Sequence, residues 1–483
     1  MPAVHASPYS GHWYPAGASE LERLLESAFE ESAVRTGTHV HAGLQACVVP
    51  HAGPMYSGVV AAAAYRALAR ARPERIVLLG FSHRGGPRGI AWPDEDAIAT
   101  PLGAVSIDRE FLEQLSFCRV PEAAVCDHSV EIQLPFLQRA VPGVPVAPLY
   151  VSPLSTGERK AAAEALLAVM TPGTVLIASS DFTHYGREFG YLPFPADDHA
   201  PDRIRELDLE CIHAAGSLDP EVFLETIRHT RATVCGYEPI ALLLEILHRR
   251  AGVWQEMLDY QASGEITGDW RHSVSYAALG YVPGATFQLD VQEQEALLQS
   301  AEAALEQLRI TGRRPAPPDS DSFPGETRRG VFVSLHRGER LLGCVGNCAS
   351  RPLALAVPEL TLAAALDDPR FRPAARLEGE IEIEISVLSP MRQIKREQDF
   401  QVGRHGGQLS FRDHRALLLP QVAKNRGWTS RDFLDALAHK AGLKAGEWRN
   451  PEARLWVFEA QVFSRRSLAE DDRLAPAPDE PES

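Results

Sequence analysis

Three short apolar runs in the first half of the chain each end in small residues and then, at once, in a polar group. The run that stops at Val49 leads into His51, within PHAGPMYSG. RIVLLG, 75–80, leads through GFSH to His83, and TVLIAS, 174–179, leads through SSDFTHYG to Asp181 and His184. Helical patterns separate the runs, among them the Ala-rich VVAAAAYRALAR. Runs that are apolar on both faces and alternate with helices specify an α/β sheet covered on both sides. In such a sheet the carboxyl ends of the strands share one edge, where ligands gather. Polar groups remote in sequence are therefore expected to meet.

The same reading predicts strands over 44–49, 75–80, 144–150, 174–179 and 273–281, and helices over 58–70 and 239–250. A domain boundary is expected near Pro283-Gly284, giving a first domain over 1–284. Residues 291–309 carry apolar positions at helical spacing and open a second domain, 290–466. The Pro- and Ser-rich stretch 313–326 reads as a loop. Strands over 330–335 and 380–388 followed by a helix-rich region over 419–441 suggest α+β for this second domain. The tail 467–483, rich in Pro and acid, is expected to be disordered.

A hydrophobic fraction of 45% in 483 residues is enough for each domain to bury its own core. The formal net charge of −16, without a dense Lys/Arg block, makes nucleic acid and anionic membrane poor partners. No run of eighteen apolar residues predicts a transmembrane helix. No basic stretch with an apolar core opens the sequence as a secretory signal would. Seven scattered cysteines argue against a disulfide framework and for a reducing cytoplasm.

Cys235, in ATVCGYEPIALLLEIL, lies in the turn before a helix, with Pro239 expected at its first position. The helix N-terminus is expected to favour thiolate there. One thiolate beside two imidazoles is a good ligand set for a late first-row divalent metal. Taken singly, each residue has an ordinary account. A histidine after a strand is commonly a hydrogen-bonded loop residue, Cys235 a small buried hydrophobe and Asp181 a turn cap. A metal-free reading, with Cys235 as nucleophile, His184 as base and Asp181 as orienter, uses the same residue types but leaves His51 and His83 without a role. Cys344 and Cys348, in LLGCVGNCAS, lack partners at zinc spacing and read as a turn with a buried thiol.

The ordered motifs GHWYPAG, PHAGPMYSG, GFSH, DHSVEIQLPFL, SSDFTHYG and VCGYEPI resemble the Memo family, whose fold is similar to that of the class III (LigB-like) extradiol dioxygenases. GVFVSL, LLGCVG, LSPMRQI, LLLPQVA and KAGL resemble the AMMECR domain; Leu342 stands where that family usually has Arg before Gly-Cys. The expected fold is thus a LigB-like phosphorylase/hydrolase-type α/β sandwich followed by an α+β AMMECR-like domain. The resemblance implies one metal ion on His51, His83 and Cys235, Fe2+ first, with Cu or Zn as alternatives. It places Asp181 and His184 at the same pocket, His184 where the dioxygenases keep an acid/base histidine. Trp13, His128 and Tyr56 are expected to line that pocket. Cys235 replaces the carboxylate ligand of the dioxygenases, which changes the electronics of the site. The fusion resembles the AmmeMemoRadiSam set, which implies a radical SAM enzyme as partner and a small-molecule or peptide substrate. The function expected is an iron-dependent redox enzyme, the alternative a metal-containing peptide- or protein-binding module without turnover.

Overall fold

The computed structural model describes residues 3–37, 43–121, 124–250, 252–315, 327–371 and 379–474. The chain divides into two compact units, Met1–Thr286 and Phe287–Ser483. The centre of the first unit is a nine-stranded sheet. Its core runs Ala46–Val49, Thr174–Ser179, Arg75–Gly80, Val146–Val151, each parallel to its neighbour. Apart from the half-buried Arg75, every residue of these strands is buried, as their continuous apolar sequence requires. His272–Pro283 adds antiparallel to Ala46–Val49 and also pairs with Val253–Ala262. Helix Tyr237–His248 is buried from Glu238 to Leu247 and packs against Thr174–Ser179 and Arg75–Gly80. A helix so largely apolar, with only Glu238 and Glu245 as buried charged residues, belongs in a core. Val4–Ala6 joins a separate three-stranded sheet, parallel to Ala97–Thr100.

Register decides where the polar groups emerge. Val49 pairs with Ser179, and Leu79 with Ala178. Three neighbouring strands therefore stop together, and the segments carrying His51, Asp181 and His83 leave from one edge. Two glycines let other segments close over this edge. A Cβ on Gly80 would lie 2.5 Å from Val130 Cγ2, so its absence admits the short helix His128–Glu131. A Cβ on Gly236 would lie 2.4 Å from the Ser179 carbonyl oxygen, so its absence seats the Cys235 turn on the strand end.

The second unit holds two four-stranded antiparallel sheets. Helices Val291–Thr311 and Leu353–Leu366 share one apolar core with the sheet containing Arg328–Arg337, and Ser430–Lys440 packs on the other sheet. The α/β unit followed by an α+β unit is the class read from the sequence.

Several local expectations are corrected. Helix 239–250 is Tyr237–His248, so Pro239 is its third residue; the first turn bonds no N–H there and tolerates it. Helix 58–70 begins earlier, at Pro54, where proline fits the first turn. Cys344 and Cys348 lie not in a turn but in the strand Arg340–Pro352, Cys344 opposite Ser334. Ser467 falls in helix Arg465–Leu474 rather than in a disordered tail, and 475–483 lie outside the described residues. Most of the expected loop 313–326 also lies outside them. No helix among the described residues is long and apolar enough to cross a membrane.

Gly236→Ala is expected to destabilise the chain by about 1–3 kcal/mol, since the added methyl meets backbone. Gly157→Ala, in helix Thr156–Val169 with nothing within 4 Å, is expected to be neutral or stabilising by up to about 1 kcal/mol. Denaturant titration of both variants checks the contrast; equal effects would reject the close-packed account of Gly236.

Candidate metal centre

His51 leaves the strand Ala46–Val49 and is 1% exposed. Its Nδ1 lies 3.0 Å from Ser179 Oγ and its Nε2 3.2 Å from Cys235 Sγ. Ser179 Oγ also accepts the side-chain N–H of Gln133 at 2.8 Å. That amide donates to the Pro50 carbonyl too, which fixes its nitrogen inward and leaves Gln133 Oε1 to accept from Tyr65 Oη at 2.6 Å. A buried relay thus holds the far nitrogen of His51. Burial, with the His83 and His184 rings adding to it, lowers the His51 pKa to about 3, so its ring is neutral near pH 7.

His83 leaves the neighbouring strand. Its Nδ1 sits 2.8 Å from Asp127 Oδ1, and its backbone N–H donates to Asp127 Oδ2 at 2.7 Å. Asp127 also caps the helix His128–Glu131 by accepting from the Ser129 N–H. Burial pushes the Asp127 carboxyl up, but the His83 hydrogen bond and the nearby His128 outweigh it and hold it at about 2. The ionised carboxylate accepts a hydrogen bond from His83 Nδ1–H, which leaves Nε2 with the lone pair. This carboxylate–histidine pairing is the usual way a ligating ring is oriented.

Asp181 organises the third corner. Its Oδ1 accepts the backbone N–H of His51 at 2.8 Å and of Ala52 at 3.3 Å, while its own N–H donates to Cys235 Sγ at 3.2 Å. Burial raises the Asp181 carboxyl above its ordinary value, against the opposing pull of His184 and the N–H donors. Burial and the Asp181 charge also push the Cys235 thiol up, outweighing its hydrogen bonds. The thiolate expected from the helix N-terminus is therefore corrected: the free thiol is protonated, and a cation is needed to displace its proton.

The structure brings His51, His83 and Cys235 together, one ligand atom from each lying within 4.8 Å of the others. Asp181, His184 and Cys235 meet the same limit. The donor set fits a late first-row divalent ion: two imidazole nitrogens whose partner nitrogens are engaged, and one sulfur. His184 is oriented not by Asp181 but by two carbonyls, those of Phe182 and Thr233, each 3.0 Å from Nδ1. Both only accept, so Nδ1 carries the proton and Nε2 is the basic nitrogen.

Trp13 stacks on His128 with centroids 4.0 Å apart, and His128 stacks on His83 at 4.2 Å. Burial and His51 lower the His128 pKa to about 3. Beside this stack opens a cleft of about 540 Å³ lined by Trp13, Ala52, Gly53, Tyr56, His272 and Tyr276. Trp13 and Tyr56 line this cleft, and His128 stacks between Trp13 and His83. Sequence reasoning singled out neither Asp127, Gln133 nor Ser179. Asp127 stands inside DHSVEIQLPFL with the signature of an N-cap, the one signal that pointed to it.

Residues 5–280 match the model of the Memo-like protein family and residues 297–463 that of AMMECR1. A MEMO1 family protein of Methanopyrus kandleri is 33% identical over 57% of this chain and 98% of its own length. One from Methanosarcina barkeri is 34% identical over 56% of this chain and 97% of its own. The crystal structure of the uncharacterized protein PH0010 from Pyrococcus horikoshii shares 32% identity, covering 36% of this chain and 93% of that one at a TM-score of 0.34. The chain belongs to the Memo family, a family related to the LigB-like dioxygenases, and carries an AMMECR1 domain behind its Memo domain.

Proposed function

We propose that the Memo unit is a mononuclear non-haem iron protein and a redox enzyme related to the class III extradiol dioxygenases. The observation that carries this reading is the junction of His51, His83 and Cys235, with the far nitrogens of both rings already engaged. A ferrous ion on these three groups would supply Lewis acidity, redox change and open positions for oxygen and substrate. The chain's own residues then divide the remaining work. His184 Nε2 accepts a proton from a bound substrate, and its Nδ1–H stays on the two carbonyls that orient the ring. Asp181 holds the His51 backbone and the Cys235 sulfur in one arrangement. Trp13, Tyr56 and the stacked His128 form an aromatic wall against a planar or apolar substrate group. The AMMECR1 unit is the docking element for a radical SAM enzyme in this proposal, which rests on the fusion itself.

A second reading is favoured by the exposure of the cleft's rim. Met55 is 68%, Tyr56 42% and Trp13 38% exposed, a surface suited to gripping a peptide without turning it over.

Protein purified without oxygen is expected to contain about one iron per chain at this centre, measured by elemental analysis and spectroscopy. Cys235→Ala and His51→Ala are each expected to lose it; full retention in both would reject the ligand assignment. Oxygen consumption by the iron-loaded chain with catechols, thiols or peptides decides between turnover and binding. Asp127→Asn is expected to weaken metal affinity by about 10–100-fold in chelator competition with the fold unchanged by circular dichroism, because the His83 ring loses its charged orienter.

A further inference from the structure

A second donor cluster shares no residue with the first and is used by none of the chemistry above. Strand Val4–Ala6 places His5 opposite Ile98, and the segment before the helix His128–Glu131 supplies Cys126. Both converge on Glu131. His5 Nε2 lies 3.3 Å from Glu131 Oε1, and Cys126 Sγ donates to the same oxygen at 2.7 Å. One ligand atom from each residue lies within 4.8 Å of the others. The Glu131 side chain is 0% exposed, and its second oxygen, Oε2, has no hydrogen-bond partner among the described residues. Its one ion-pair partner among them is His5.

A fully buried carboxylate with an empty oxygen is costly unless a cation compensates it. A neutral imidazole, a thiolate and a carboxylate together match the ligand types of a tetrahedral Zn2+ site with one position for water. The charges also close: one carboxylate and one thiolate balance one divalent ion. We propose that His5, Cys126 and Glu131 form a second metal site, selective for a borderline-soft divalent cation such as Zn2+. Binding releases the Cys126 thiol proton to solvent, and the ion takes the place of that proton on sulfur. Glu131 supplies Oε2, the atom left unpaired. Since Cys126 precedes Asp127, the ion also stiffens the turn that orients His83.

The test uses the full chain, stripped of metal and titrated with Co2+ under nitrogen. The His51→Ala/Cys235→Ala double variant removes the first centre. This variant is expected to bind one Co2+ with a sulfur-to-metal charge-transfer band. Adding Cys126→Ser is expected to abolish the band, and adding His5→Asn to weaken binding at least about tenfold. No Co2+ binding by the double variant, or a band that survives Cys126→Ser, overturns the proposal and leaves a structural His5–Glu131 ion pair only. Should the double variant not fold by circular dichroism, Zn2+ stoichiometry decides in otherwise unaltered chain: Cys126→Ser is expected to remove one equivalent, and retention of all zinc overturns the site. His51→Ala alone reports on the first centre, so the two assignments fail separately.

Discussion

The candidate centre depends on a buried carboxylate, Asp181, whose side-chain oxygen holds backbone beside the ligands. Asp181 accepts from the backbone of His51 and Ala52 and, through its own amide, donates to the Cys235 sulfur. These are bonds between the ends of neighbouring segments rather than within any one of them. The strands deliver His51 and Asp181 to the same edge, but a sheet edge alone leaves loops free to diverge. The carboxylate ties the loop after Ala46–Val49 to the loop after Thr174–Ser179. The Cys235 turn is then drawn in by the amide of the same residue and by the missing Cβ of Gly236.

The two histidines are held by different chemistry. His51 leans on a neutral, wholly buried relay of Ser179, Gln133 and Tyr65. His83, partly open to solvent, leans on an ionised carboxylate. A charged partner makes a ring more basic and a stronger donor toward a cation, while a neutral one fixes direction with less electronic effect. The buried ring is thus kept neutral by desolvation, and the exposed one is kept in place by charge.

Much of this was legible in the sequence because period and punctuation are enough to place parallel strands. A run such as TVLIAS cannot be anything but covered on both faces, and the residue after it must appear at the sheet's edge. That logic found His51, His83, Asp181 and His184. It did not find Val253–Ala262, whose Gln255, Glu256 and Asp259 dilute the apolar pattern of a strand that is only partly buried. It did not find the roles of Ser179 and Gln133, since a hydroxyl at a strand end and an amide in a helix carry no period. A helix N-terminus is visible in sequence whereas burial beside a carboxylate is not, so the thiolate expected at Cys235 gives way to a raised thiol. Asp181 is the orienter expected for His184, but the carbonyl of Thr233, 49 residues away, does that task with Phe182.

The first ten or so residues that the structure describes are also a wall of the centre. Val4–Ala6 enters a sheet, Tyr9 sits edge-on to His128, and Trp13 covers its face. Anything fused ahead of Val4 is therefore tethered only a few residues from that wall. An oligohistidine affinity handle placed there brings a string of competing imidazoles to the mouth of the site, and metal contents measured on such a product would describe the handle as much as the protein.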